Sequence, residues 1–260
     1  MNPTLTATEP PGFLKLLAHD LRWKLLTALA RSDYRVYELV DFFDHPPNLV
    51  SYHLKRLRAQ GLVRERRSGA DARDVYYSLD HDRLRRLYFS AGRMLHPSLG
   101  EPGSDANASQ RSLSRSQERV LFLCTENSAR SQMAEAILRH MSRGRVEAFS
   151  AGTCPSGIHP LAVAAMQRHK IDISRQRSKH LDEFQGQSFT HIITLCDRAR
   201  EVCPPFPGDP ARIHWSFPNP AAIKGNEAAK SHAFAATAQE LMTRIRYLLL
   251  MLEKSGGATA

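Results

Sequence analysis

The sequence is 260 residues long, a length that allows about two domains, and its net charge of +10 suits an anionic partner, either nucleic acid or a small oxyanion. It contains no run of about 18 apolar residues, and its first residues lack the basic and hydrophobic parts of a signal peptide. These features argue against a membrane span and a secreted protein, and they favour a cytoplasmic location.

The first half of the chain has the apolar spacing of helices. It predicts a helix from Phe13 to Ala30, with a break near His19 and Asp20, and a short helix from Val36 to Phe43. Further on, Asp80 to Leu95 predicts a helix with one apolar stripe. The members of that stripe are Leu84, Leu87, Tyr88, Ala91 and Leu95.

Between these helices lies a basic helix, predicted from Asn48 to Gln60 and ended by Gly61. Its apolar side is expected to face a core through Leu49, Val50, Leu54 and Leu57. Its other side is polar and basic, which suits contacts to bases and phosphates in a major groove. That side consists of Asn48, Ser51, Tyr52, Lys55, Arg56 and Arg58.

The stretch after this helix, L-V-R-E-R-R-S-G-A-D-A-R-D-V-Y-Y-S-L, predicts two strands around a turn, with Arg66 and Arg67 in the resulting β-wing. This arrangement resembles the winged helix-turn-helix of the ArsR family of bacterial repressors. The family pattern V-S-x-H-L-K-x-L-x-x-x-G-L-V appears from Val50 to Val63. The resemblance implies operator DNA as a partner and a homodimer formed through the helix at 80–95. The alternative is a winged helix kept only for dimerisation.

One feature departs from that family. ArsR-family arsenic sensors usually bind arsenite through cysteine thiolates, whereas this chain has no cysteine before Cys124. Arsenite sensing through thiolates of the winged helix is therefore excluded. The stretch 96–117 is rich in Ser, Pro and Gly, which predicts a flexible tether to a second domain.

The second half alternates strands and helices, which predicts a four-stranded parallel sheet flanked by helices. Strands are expected at 120–123, 146–149, 191–195 and 213–215, and helices at 131–143, 160–169 and 228–252. Ligands bind at the carboxyl edge of such sheets. The overall fold class is thus α/β, with an N-terminal winged helix that is mostly α plus this C-terminal sheet.

The stretch Val120 to Ser131, V-L-F-L-C-T-E-N-S-A-R-S, is the strongest signal in the chain. A loop between a buried strand and a helix N-terminus presents backbone N–H groups that bind a tetrahedral oxyanion. The electric field of the helix dipole at this N-terminus is expected to lower the pKa of Cys124 and make it a nucleophile. Arg130 can bind two oxyanion oxygens with its guanidinium. The predicted substrate-binding residues are Thr125, Glu126, Asn127, Ser128, Ala129 and Arg130.

Several motifs resemble the thioredoxin-coupled arsenate reductases, which share the low-molecular-weight tyrosine phosphatase fold. They are C-T-E-N-S-A-R-S-Q-M-A-E, S-A-G, the L-C-D-x5-C-P of 195–204 and H-W-S-F-P-N-P-A. The resemblance implies arsenate as substrate, thioredoxin or another thiol as reductant, and no bound cofactor or metal. It also implies a thiol relay in which Ser131 supports Cys124, Cys196 attacks Cys124, and Cys203 takes the disulfide outward through a mobile segment.

Three positions complicate this interpretation. The general acid expected of the family is an Asp, and the chain has Asn219 at this leaving-group position; an amide cannot donate that proton. Where some members have a potassium-ligating Asp, the chain has Lys179, whose ammonium either replaces the cation or is simply solvated. Cys154 matches no catalytic position and is interpreted as a small buried structural residue.

The sequence therefore predicts a fused arsenic-resistance protein. Its domains are expected at 1–95 for DNA binding, 96–117 for the tether and 118–260 for arsenate reduction by Cys124, Cys196 and Cys203. Two alternatives remain open. One is a regulator that senses an oxyanion or redox state without turnover, and the other is a low-molecular-weight protein tyrosine phosphatase.

Overall fold

A computed structural model of the protein describes residues 9–96, 99–100 and 118–255. The chain divides into two compact units, each with its own apolar core. The predicted tether, 96–117, lies almost wholly outside the described residues. Within the described ranges, no helix has both the length and the apolar character that crossing a membrane requires.

Among the residues that the structure describes, the first unit contains five α-helices and a small sheet. The break predicted near His19 separates the first two helices, because the chain is extended at this residue. The helices are α1 (Gly12–Leu17), α2 (Asp20–Leu29), α3 (Val36–Phe43), α4 (Pro47–Ala59) and α5 (His81–Leu95), and the strands are β1 (Tyr34–Arg35), β2 (Val63–Arg67) and β3 (Val75–Leu79).

The sheet of this unit has the strand order β1-β3-β2, so β2 and β3 form the predicted wing. The strand β1 was not predicted. It consists of two residues that pair antiparallel with β3, Tyr34 opposite Tyr77. A two-residue strand has no periodicity to detect, and its existence depends on a partner 40 or so residues away.

The helix α4 buries Val50, Leu54 and Leu57 completely, as predicted. The prediction for Leu49 was wrong, because its side chain is 38% exposed. On a helix of 3.6 residues per turn, Leu49 lies about 110° from the centre of the stripe that the other three define. His53 lies inside the stripe instead and is buried there.

The apolar stripe of α5 divides between core and surface. Ala91 is buried, and Leu84 and Leu87 pack against the core of the unit. Tyr88 and Leu95 are 64% and 78% exposed. The helix therefore stabilises its own unit and also presents an apolar surface, while the expected dimer contact stays a prediction.

The second unit is built on a four-stranded, all-parallel sheet, which confirms the predicted architecture. The strands are β4 (Arg119–Cys124), β5 (Glu147–Gly152), β6 (His191–Thr194) and β7 (Ala211–His214), and the helices are α6 (Arg130–Met141), α7 (Pro160–Gln167), α8 (Asp197–Glu201) and α9 (Glu227–Ser255). The strand order is β5-β4-β6-β7. Alternate residues of β4 point into two different apolar clusters, one on each face of the sheet.

Helices α6, α7 and α9 cover one face of this sheet, and α8 packs on the other. The sequence predicted a mobile segment at 198–202; its residues up to Glu201 belong to the helix α8, with Ala199 buried. Five residues are too few to show helical periodicity in the sequence, so only the packing of Ala199 reveals the helix.

Candidate active site

The loop between β4 and α6 lies at the carboxyl edge of the parallel sheet, where Cys124 is the last residue of the strand and Arg130 the first of the helix. Asn127 adopts a left-handed conformation, with φ of 47°, which turns the loop back toward the helix. Gly152, at the end of β5, supports this turn. A Cβ there would lie 2.6 Å from the Thr125 carbonyl oxygen, so no larger residue fits.

The Cys124 sulfur is buried and lies in a polar setting made by its own loop. Its Sγ is 2.8 Å from the Ser131 Oγ, and it accepts a hydrogen bond from the backbone N–H of Asn127 at 3.1 Å. Burial raises the pKa of the thiol above its ordinary value, and the Arg130 guanidinium, Ser131 and the Asn127 N–H oppose that rise. The prediction of a lowered pKa was wrong, because desolvation outweighs these contacts.

Arg130 is buried and anchored by the main chain. Its Nη1 donates to the carbonyl oxygens of Phe217, at 3.0 Å, and Leu195, at 3.4 Å. These carbonyls follow β7 and β6, so the neighbouring strands fix the guanidinium beside Cys124. A guanidinium carries five N–H donors, and both of these hydrogen bonds come from Nη1. The other donors of Arg130 can therefore form two hydrogen bonds to an oxyanion.

The Asn127 side chain holds the loop together from within. Its Nδ2 donates to the Oγ atoms of Ser131 and Ser150, both at 2.9 Å. Its Oδ1 accepts from the Gln132 Nε2 at 2.8 Å and from the Lys179 backbone N–H at 2.7 Å. Sequence reasoning placed Asn127 in the loop but missed Gln132, whose position one residue past Ser131 was the available signal.

A buried carboxylate lies behind this network. Glu135 is 3% exposed, and its Oε2 accepts from the Lys179 Nζ at 3.1 Å and from the Ser150 hydroxyl in a short hydrogen bond. Its Oε1 contacts the Arg139 guanidinium at 2.6 Å. Lys179 is only 13% exposed, so the alternative of a solvated surface lysine was wrong. Its ammonium neutralises the carboxylate that supports the loop.

The other relay cysteines lie in the same apolar cluster as Cys124. Cys196 is buried in that cluster, and its Sγ is 3.3 Å from the Thr125 Oγ1 of the loop. Cys203 is half-buried and packs against the cluster. Burial raises the pKa of Cys203, while the Arg212 guanidinium, with Nη1 3.6 Å from its sulfur, acts in the opposite direction. The structure thus places the three predicted cysteines in or against one apolar cluster on one face of the sheet.

Cys154 is exposed, so the expectation of a small buried residue was wrong. Its backbone N–H donates to the Thr125 carbonyl oxygen at 2.8 Å, which places it beside the loop. The residue lies two positions after the end of β5, where the chain leaves the sheet edge for the surface. A lone cysteine in a sequence gives no signal of that turn.

Of the remaining predicted site residues, Glu126 and Asn219 are exposed, whereas Ser128 and Ala129 are buried. Glu126 is exposed and accepts from the Ser128 Oγ at 3.2 Å, and Ala129 is the N-cap of α6. Asn219 is exposed, and its Oδ1 accepts from the Ala221 N–H at 3.1 Å, which caps a short 3-10 turn at Pro220–Ala222. Asn219 thus has a structural role in capping, two residues after the carbonyl that anchors Arg130.

The polar side of α4 is exposed in the first unit. Arg56 donates to the Tyr52 hydroxyl at 3.2 Å, and Arg58 pairs with Glu65 at 2.6 Å. In the wing, the Arg67 Nη1 donates to the Ala72 carbonyl oxygen at 3.1 Å. The exposed side chains of the predicted DNA-contacting set are Asn48, Ser51, Tyr52, Lys55, Arg56 and Arg67, and Arg66 is half-buried.

Comparison with known proteins matches residues 119–257, just over half of the chain, to the low molecular weight phosphotyrosine protein phosphatases. The chain belongs to this phosphatase family. Its residues 19–65 match the bacterial regulatory protein family arsR. Both resemblances drawn from motifs are therefore confirmed. In this chain, a unit of the phosphatase family follows a helix-turn-helix segment.

Curated relatives of the phosphatase-family unit include arsenate reductases. That of Halalkalibacterium halodurans is 39% identical over 127 residues, 49% of this chain and 91% of that protein. That of Bacillus subtilis is 37% identical over 127 residues, again 49% of this chain and 91% of that protein. A solved thioredoxin-dependent arsenate reductase from Corynebacterium glutamicum is 22% identical, with a TM-score of 0.44, covering 89% of this chain and 98% of that one.

Proposed function

We propose that this protein is a fused arsenic-resistance regulator and arsenate reductase. The observation that carries the proposal is the common location of Cys124, Cys196 and Cys203, in or against one apolar cluster beside the loop that Arg130 completes. The names of the curated relatives support the same activity. A phosphatase needs one thiol and an acid. This unit has three thiols in or against one cluster, and an amide, Asn219, at the leaving-group position.

The first step uses the loop. Arsenate binds to the loop amides and the Arg130 guanidinium, and the Cys124 thiolate attacks arsenic and displaces one oxygen as water. Cys196 then attacks the Cys124 sulfur, so a disulfide forms and the sulfur–arsenic bond breaks. The electron pair of that bond stays on arsenic, which leaves as arsenite. Two thiols have supplied the two electrons that reduce As(V) to As(III).

The second step regenerates Cys124. The Cys203 thiolate attacks Cys196 in the Cys124–Cys196 disulfide, and Cys124 leaves as a thiolate. The new Cys196–Cys203 disulfide is then reduced by an external dithiol, for which thioredoxin is our choice. Cys203 suits this exchange because it is half-buried at the rim, whereas Cys124 and Cys196 are buried.

The regulator unit supplies the other half of the proposal. We assign operator DNA to the exposed polar side of α4 and to the wing, with Asn48, Ser51, Tyr52 and Lys55 at the base edges and phosphates. A homodimer forms through the exposed apolar residues of α5, which include Tyr88 and Leu95. The domains are 1–95 and 118–260, joined by 96–117, in a protein that acts in the cytoplasm, where free thiols persist.

Asn219 favours one alternative function, an oxyanion sensor without turnover. Its amide caps a turn and cannot protonate a leaving oxygen, and loss of a general acid costs about 10² to 10⁴ in rate. Substitution Asn219→Asp keeps an oxygen acceptor for the Ala221 N–H. The fold of the turn should therefore survive while a proton donor is added.

The test is arsenate-dependent NADPH oxidation by the full-length protein, coupled to thioredoxin and thioredoxin reductase. Cys124→Ser and Cys203→Ser should abolish turnover, Asn219→Asp should raise it, and Cys154→Ser is the matched thiol control that should change nothing. An aryl-phosphate assay runs beside it. Aryl-phosphate hydrolysis without arsenate turnover would select the phosphatase, and oxyanion binding without either activity would select the sensor.

A further inference from the structure

The strand β7 contacts both ends of the segment that separates the last two relay cysteines. Arg212 and His214, two residues apart, lie on one side of the strand. The His214 Nε2 contacts the Asp197 Oδ1 at 3.2 Å, directly after Cys196. Arg212 contacts the other end, next to Cys203. The strand therefore holds the segment 196–204 at its beginning and at its end.

The contact between Arg212 and the cysteine end has two parts. Its Nη2 donates to the Pro204 carbonyl oxygen at 3.0 Å, and its Nη1 is 3.6 Å from the Cys203 sulfur. The carbonyl bond fixes the position of the guanidinium, so the positive charge lies beside the thiol. A planar guanidinium can keep both contacts at once, which a lysine ammonium does less well.

The relay requires this thiol to react as an anion. Cys203 is half-buried, and burial disfavours its thiolate. An adjacent fixed cation offsets that penalty, and thiolate fraction controls the rate of thiol–disulfide exchange. The helix α8 lies between Cys196 and Cys203, and contacts from β7 hold the segment at both of its ends. The Arg212 contact therefore favours the ionised form of Cys203 before this thiol exchanges with Cys196.

We infer that Arg212 is the positioning residue of the resolving thiol: it stabilises the Cys203 thiolate and holds the Cys203–Pro204 end of the segment until exchange with Cys196. This inference rests on the proposed arsenate reduction. In the step concerned, a sulfur–sulfur bond forms between Cys203 and Cys196, the Cys124–Cys196 bond breaks, and Cys124 leaves with the electron pair. Arg212 takes no covalent part, so Cys124 chemistry should not depend on it.

The experiment follows alkylation of each cysteine by iodoacetamide in the reduced full-length protein, from pH 6 to 10, by peptide mass spectrometry. In Arg212→Gln, Cys203 should react about three- to tenfold more slowly near pH 8, with its profile moved to higher pH, as expected for loss of an exposed charge contact. Arg212→Lys should restore part of the rate. The profile of Cys124 should stay as in the parent protein.

A second arm measures one turnover with arsenate. Arg212→Gln should release arsenite at the parent rate, while the Cys196–Cys203 disulfide forms more slowly by the factor seen in alkylation and Cys124–Cys196 accumulates. The matched control is Arg246→Gln, an exposed arginine on α9. An unchanged Cys203 profile in Arg212→Gln, or an equal shift in Arg246→Gln, overturns the inference. Absence of arsenite from the parent refutes the proposed function instead, and the alkylation arm still decides the role of Arg212.

Discussion

Replacing Lys179 by methionine tests whether its ammonium is an internal counterion for the buried Glu135. The substitution shortens the unbranched side chain by only one atom and keeps the backbone N–H that donates to Asn127, so it removes little besides the charged end of the side chain. The Lys179 Nζ lies 3.1 Å from a carboxylate that is 3% exposed. Removal of one partner from a buried ion pair costs about 3–5 kcal/mol.

The cost should be smaller here, because Glu135 keeps the Arg139 guanidinium at 2.6 Å and the Ser150 hydroxyl. The Arg139 side chain is half exposed, so water screens its charge. We expect Lys179→Met to lower the free energy of unfolding by about 1–3 kcal/mol, or the melting temperature by about 2–10 °C. The measurement is urea unfolding combined with thermal melting.

The control is a double-mutant cycle with Glu135→Gln, which removes the buried charge. In that background, Lys179→Met should cost less than about 1 kcal/mol. An equal cost with and without Glu135→Gln would refute the counterion role. The parent should also melt at the same temperature in potassium and sodium chloride, and a stabilisation specific to potassium would show that a cation site persists beside Lys179.

Three further predictions concern the loop and the DNA surface. Ser131→Ala removes a contact to the Cys124 sulfur that favours the thiolate, so alkylation of Cys124 should slow about tenfold at pH 8 and its profile should move to higher pH. Gly152→Ala should abolish oxyanion binding measured by calorimetry, because its Cβ would overlap the Thr125 carbonyl oxygen. Arg56→Ala should weaken binding of operator DNA and lower its salt slope by about 1.

Each of these has a control variant of the same residue type elsewhere in the chain. Ser188→Ala removes an exposed hydroxyl away from Cys124 and should leave the alkylation profile unchanged. A Cβ at Gly144 would meet no atom within 4 Å. Gly144→Ala should therefore strain the backbone, which is left-handed there, but the variant should still bind the oxyanion. Arg246→Ala should not alter the salt slope. If Ser131→Ala leaves the alkylation profile of Cys124 unchanged, or Arg56→Ala leaves the affinity for operator DNA unchanged, the assigned contacts are contradicted.

The sequence by itself determined the two architectures and the position of the loop. Alternation of strands and helices predicts a parallel sheet, and a loop that follows the first strand must lie at the carboxyl edge of that sheet. The predicted strands placed Cys124 and Cys196 at the carboxyl ends of two neighbouring strands; Cys124 ends β4, Cys196 lies two residues past β6, and these strands pair in the structure. These conclusions follow from local pattern and from rules of topology, so they needed no coordinates.

Only the tertiary structure decided the environment of each side chain. The pKa of Cys124 is raised because the surroundings of the thiol remove water, a quantity that depends on every neighbouring element. The roles of Lys179 and Arg212 depend on contacts with Glu135 and Cys203, which lie 44 and 9 residues away in the chain. Cys154 and α8 were misjudged for the same reason. Burial and charge pairing are set by what packs around a residue, and a local pattern does not contain that information.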